Sequence, residues 1–131
     1  MTVLIVDDNA TTRSVLRMMV HGDFYTVVGE APNGKSGLER VEQLKPDIVC
    51  LDVSMPDIDG LEVLQQIKAA RPQTLVLMVT ASRDVDTVKT AIGRGANGFI
   101  IKPFNGRTVL DTLKAAVDKA EEVSASPTGA T

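Results

Sequence analysis

The stretch Ile48-Val49-Cys50-Leu51-Asp52 is four apolar residues, two of them β-branched, closed by an acid. So short an apolar run, with no polar alternation, is the pattern of a strand covered on both faces, as in a parallel sheet. Residues 3–6, 75–79 and 99–101 repeat that pattern, and they end on Asp7-Asp8, Thr80 and Lys102-Pro103. A fifth run, residues 25–29, is less uniformly apolar and is predicted to lie nearer a sheet edge. Between the runs, apolar residues recur at helical spacing. Val15, Leu16 and Met19 begin the series, and Leu38 with Val41 follows. Leu61, Leu64 and Ile67, then Val85, Val88 and Ile92, and finally Leu110, Leu113 and Val117 complete it. Pro46 and Pro72 separate helix from strand. Strand and helix alternating five times predict an α/β fold, a doubly wound five-stranded parallel sheet with five helices and right-handed crossovers.

At 131 residues the chain fits one domain, expected over residues 1–121, followed by a disordered tail over 122–131 that has little to bury. The net charge of −3 offers no basic footprint, so neither nucleic acid nor an anionic membrane surface is an expected partner. The single cysteine, Cys50, excludes an internal disulfide and is expected to be a buried, inert thiol. The apolar run at the N-terminus is too short for a signal peptide or a membrane span, so a cytoplasmic location is expected. Met1 and the polar tail lead us to expect a complete chain, with no DNA-binding domain after the last helix.

In a sheet of this kind, ligands bind beyond the carboxyl ends of the strands, near the point where strand order reverses. Parallel strands bring the residues that close them to one edge. Asp7, Asp8, Asp52, Thr80 and Lys102 would therefore converge there. Three carboxylates side by side repel one another and raise each other's pKa values unless a cation joins them. Oxygen ligands without His or Cys favour a hard ion such as Mg²⁺. A carboxylate can act as the nucleophile that forms an aspartyl-phosphate. The equatorial oxygen charge of a moving phosphoryl group needs compensation, which Mg²⁺, the Lys102 ammonium and the Thr80 hydroxyl would supply.

Taken together, Asp7-Asp8, Asp52-Val53-Ser54-Met55-Pro56-Asp57-Ile58-Asp59-Gly60, Thr80-Ala81 and Lys102-Pro103-Phe104 resemble the signature of bacterial two-component response-regulator receiver domains, the chemotaxis receivers among them. The likeness runs from about residue 2 to 120. It implies a flavodoxin-like strand order of 2-1-3-4-5, for which the chemotaxis receiver is a standard example. It also implies that Asp52 is the phosphoacceptor, taking its phosphoryl group from the phosphohistidine of a histidine kinase or phosphotransfer protein. Asp8, Asp52 and the backbone carbonyl of Ser54 would hold Mg²⁺ directly, with Asp7 acting through water. Lys102, before a cis Pro103, would pair with the phosphoryl group, and the domain would catalyse only its own phosphorylation and dephosphorylation. Thr80 and Phe99 would form the switch, with Phe99 standing where Tyr is commoner. The output face for a downstream effector protein would be the fourth helix, fifth strand and fifth helix. Arg83, Asp86, Lys89, Arg94, Arg107, Asp111 and Lys114 are its candidate contacts.

Two other functions use similar parts. An aspartate-nucleophile phosphatase has D-x-D after its first strand, whereas Asp7-Asp8-Asn9 lacks the second acid. A flavodoxin-like cofactor binder needs a phosphate-cradling loop there, and adjacent carboxylates would repel the phosphate. Residues 93–98 match G-x-G-x-x-G, but a helix precedes them and a strand follows, the reverse of a dinucleotide site. They are expected to end a helix. Asn9 is expected to start the first helix, and His21 to sit at a helix end or on the surface.

Overall fold

The computed structural model describes residues 1–81 and 83–125. Ten elements alternate along it: β1 (Thr2–Val6), α1 (Ala10–Val20), β2 (Thr26–Ala31), α2 (Gly34–Leu44), β3 (Ile48–Asp52), α3 (Gly60–Ala70), β4 (Leu75–Thr80), α4 (Val85–Gly93), β5 (Gly98–Ile101) and α5 (Gly106–Ala125). All strand pairs are parallel and the order is β2-β1-β3-β4-β5, as expected. The chain reverses direction across the sheet between β1 and β3, so the crevice beyond those two strands is where a ligand site belongs. Helix α5 continues through residues 122–125, four beyond the expected domain limit, and the rest of the expected tail lies outside the described residues.

The central strands β3 and β4 are buried at every residue, and β1 at all but its first. One layer of core, on the α1–α5 side, is built on Ile5, Leu16, Cys50, Leu77 and Leu113. The other, on the side of α2, α3 and α4, is built on Leu4, Leu51, Leu64, Ile67 and Met78. Cys50 is wholly buried, and burial pushes its thiol up to about 12, so it is inert as expected.

A short polar cap starts each helix. Asn9, Asn33, Asp59, Asp84 and Asn105 each accept a backbone N–H of the first turn, from Thr12, Ser36, Leu61, Thr87 and Thr108. Asn and Asp are favoured there because a side-chain oxygen satisfies a donor the helix itself cannot. His21 closes α1 and accepts the Val27 N–H at Nδ1. Helix α4 ends at Gly93, and Gly95 takes a left-handed turn with φ of 97°, so the glycine run is a helix stop.

Two expected helix stripes are corrected. In α4, Val85 and Ile92 are 60% and 59% exposed, Val88 is half-buried, and Ala91 is the residue of the helix that joins the core. Leu110 of α5 is exposed, while Val109, Leu113, Ala116 and Val117 face the core. The α2 stripe holds, with Val41 buried and Leu38 packed half-buried against the core, and Gly34 and Gly37 are buried beside them. A Cβ on Gly37 would lie 2.8 Å from Val6 Cγ1, so this helix approaches the sheet through bare backbone.

Candidate functional site

The carboxyl ends of β1, β3, β4 and β5 open on a cleft of about 580 Å³. It is lined by Asp8, Asn9, Thr12, Asp52, Ser54, Thr80, Ala81 and Lys102. Asp7 lies beneath it, 1% exposed, and Asp8 stands exposed at the rim. Of the site residues expected from the sequence, all but Phe99 are therefore in the cleft or directly under it.

Carboxylate oxygens of Asp7, Asp8 and Asp52 lie within 4.8 Å of one another. Lys102 Nζ is 3.6 Å from Asp7 Oδ2 and 3.9 Å from Asp52 Oδ1. The Lys102-Pro103 bond is cis. Three carboxylates against one ammonium leave two negative charges when all are ionised, the complement of one divalent cation. Burial, and then the Asp7 carboxylate, push Asp52 up to about 6, with the Asp8 side chain adding to the rise. Lys102 and the Ser54 N–H, which donates to Asp52 Oδ1 at 3.3 Å, oppose the shift. Buried Asp7 Oδ2 accepts no hydrogen bond among the described residues. An all-oxygen donor set, surplus negative charge and an orphaned buried carboxylate oxygen together fit a hard divalent ion such as Mg²⁺.

Thr80 is buried at the end of β4. The register pairs Met78 with Phe99 and Thr80 with Ile101. Side chains alternate along a strand, so Thr80 and Phe99 lie on the same face of the sheet, one step apart. Phe99 itself is half-buried against the core on the α2, α3 and α4 side. The expected output contacts are exposed except Arg94, which is half-buried. Arg107 pairs weakly with Asp111 (3.9 Å), and Lys114 pairs with Asp118 (2.8 Å).

Three features were not anticipated from sequence. Gly60 N–H donates to the Val53 carbonyl at 2.8 Å, which brings the start of α3 against the end of β3. A Cβ on Gly60 would lie 2.1 Å from the Asp52 carbonyl oxygen, so only glycine fits. The Asp57 carboxylate accepts the N–H groups of Gly34 and Lys35, both at 2.9 Å. It thereby ties the loop after Asp52 to the N-terminus of α2, and those N–H bonds, Lys35 first, hold the Asp57 carboxyl below its usual range. On the other flank, Arg13 of α1 reaches back to the Asp7 carbonyl at 2.7 Å and to Glu30 at 3.2 Å. The signal for Gly60 was available, as a glycine directly after the helix cap Asp59. The other two are tertiary and carry no local mark.

Comparison with known proteins agrees with the geometry. Residues 3–114 match the response regulator receiver domain family. The chemotaxis protein CheY of Listeria monocytogenes is 42% identical over 114 residues, covering 87% of this chain and 96% of that protein. The Thermotoga maritima CheY is 38% identical over 111 residues, covering 85% and 92% respectively. Among solved structures, a CheY-like receiver domain protein from Methanospirillum hungatei superposes with a TM-score of 0.85 at 26% identity, covering 92% of this chain and 96% of that one. The response regulator domain of Thermotoga maritima CheB gives 0.76 at 31% identity, covering 93% and 94%. Neither the phosphatase nor the cofactor-binder alternative is favoured by these likenesses. Receiver domains are signalling modules that work with kinases and downstream effectors, and are not enzymes in the ordinary sense. Five strands in the order 2-1-3-4-5, an acidic cleft at the turn of that order, and a family match over most of the length converge: this chain belongs to the response regulator receiver domains of two-component signalling.

Proposed function

We propose that Asp52 is the phosphoacceptor of this receiver, charged by the phosphohistidine of a histidine kinase or phosphotransfer protein. The observation that carries the reading is the convergence of Asp7, Asp8 and Asp52 within 4.8 Å beside Lys102. In the reaction an Asp52 carboxylate oxygen attacks phosphorus, the imidazole N–P bond breaks, and the imidazole leaves and takes a proton from solvent. Mg²⁺, when bound by Asp8, Asp52 and the Ser54 carbonyl with Asp7 through water, supplies charge compensation for the phosphoryl oxygens. Lys102 pairs with the transferred group, and Thr80 donates its hydroxyl to a phosphoryl oxygen. As Thr80 moves inward it vacates space for Phe99 on the same face of the sheet, and the face made by α4, β5 and α5 changes its affinity for an effector protein. Coupling of this kind is about 1–3 kcal/mol, enough to bias two populations without a new fold. Phe99 carries no hydroxyl, so that output works through packing. The setting we infer is the cytoplasm, and no helix of the described residues is long and apolar enough to cross a membrane.

Incubation with Mg²⁺ and a small phosphodonor, followed by intact mass, tests this reading. The expected product carries one added phosphoryl group, needs Mg²⁺, and is absent in Asp52→Asn. Modification that persists in Asp52→Asn would remove Asp52 from the role, and multiple turnover of a phosphoester would point to a phosphatase instead.

A further inference from the structure

The Asp7-Asp8 turn is pinned at several points. Asp7 N–H donates to the Ala31 carbonyl at 3.0 Å, and Asp7 Oδ1 accepts the Asn9 N–H at 2.8 Å. The Asp7 carbonyl, past the end of β1, is held from above by α1. Arg13 Nη1 donates to it at 2.7 Å, while Arg13 Nε donates to Glu30 Oε1 at 3.2 Å. Glu30 is held in turn by Arg17 Nε at 2.7 Å. The Arg13 side chain is only 18% exposed, against 43% for Arg17. Its planar fork spans a carbonyl and a carboxylate together, which a lysine ammonium cannot do in the same geometry.

We propose that Arg13 is a positioning residue for the acidic site: by clamping the Asp7 carbonyl to Glu30 it fixes the turn that aims Asp7 and Asp8 at the metal. This rests on the Mg²⁺ reading above. A cation beside an acidic cleft opposes Mg²⁺ by Coulomb repulsion alone, so its removal would tighten binding if charge were its only effect. Loss of positioning has the opposite sign. Groups that orient metal ligands without touching the metal are worth about 10–100-fold in affinity when removed.

The test is a Mg²⁺ titration followed by backbone amide shifts in the wild-type chain, Arg13→Ala, Arg13→Lys and Arg17→Ala. Arg13→Ala is expected to raise Kd by about tenfold, the low end of that range. Arg13→Lys, which keeps the charge and loses the fork, also raises it. Arg17→Ala removes the other guanidinium on Glu30 but leaves the Asp7 carbonyl bonded, and its Kd stays the same or falls. An Arg13→Ala Kd equal to or below the wild-type value overturns the proposal and leaves the metal site standing. Failure of the wild-type chain to bind Mg²⁺ overturns both. Should Arg13→Ala not fold, Arg13→Lys against Arg17→Ala decides, and equal Kd values for those two overturn the proposal.

Discussion

Gly60→Ala is expected to lower Tm by about 10 °C or more and to cripple phosphoryl acceptance in the same stroke. The added methyl would stand 2.1 Å from the Asp52 carbonyl oxygen, 2.7 Å from Val53 Cα and 2.8 Å from the Val53 carbonyl oxygen. All three are backbone atoms of the segment that carries the nucleophile, so no side-chain rotation relieves the clash. Overpacking usually costs about 1–3 kcal/mol and more where backbone must move, and each kcal/mol lowers Tm by roughly 2–8 °C for small domains. No positive φ is involved at Gly60; the need is for space. Gly93→Ala is the control, because a Cβ there meets nothing within 4 Å. Differential scanning calorimetry should show Gly93→Ala unchanged or slightly stabilised, and equal Tm losses in the two variants would refute the close-approach argument.

Asp52→Asn is expected to stabilise the metal-free protein by about 1–3 kcal/mol at pH 8. Burial and the neighbouring Asp7 carboxylate raise Asp52 from 3.8 to about 6, so its ionised form is the disfavoured one in the fold. A carboxyl raised on folding contributes stability that is fully present below its unfolded pKa and lost as pH rises through its folded value. The window is therefore about pH 4 to 6, with the native state losing stability as pH climbs. Asn cannot ionise, so its advantage should grow through that window and vanish below pH 4. Saturating Mg²⁺ should shrink the gap, because the ion favours the carboxylate in the wild-type chain alone. Chemical denaturation with EDTA and with Mg²⁺, across that pH range, checks both parts. An advantage that is independent of pH would mean that Asp52 is not held against its charge.

Much of this site was legible in the sequence because its chemistry sits at strand ends. Apolar runs such as Ile48–Leu51 identify buried parallel strands, and parallel strands bring Asp7, Asp8, Asp52, Thr80 and Lys102 to one edge. The cap at Asn9 also follows from a local signal, whereas the cis bond before Pro103 is implied by the family resemblance alone. What hydropathy missed was contact through small residues. Helix α4 meets the core through Ala91, so a stripe through Val85 and Ile92 is misplaced, while α2 adds Gly34 and Gly37 to the expected Leu38 and Val41. The supports of the site were missed for a different reason. Arg13 and Glu30 are 17 residues apart, and Asp57 is 23 residues from Gly34, with no pattern along the chain to join them. Such pairs exist only once the layers have packed.

On the proposed mechanism Asp52, and no other residue, takes the phosphoryl group. The most direct measurement is reductive trapping: the chain is charged with a small phosphodonor and Mg²⁺, treated with borohydride, digested and sequenced by mass spectrometry. Borohydride reduces an acyl phosphate at the carbonyl carbon and releases phosphate, turning the aspartyl residue into homoserine. Homoserine is expected at position 52, dependent on Mg²⁺ and on the donor. Homoserine at position 7 or 8, or a phosphoryl group that survives on Thr80 or another hydroxyl, would contradict it.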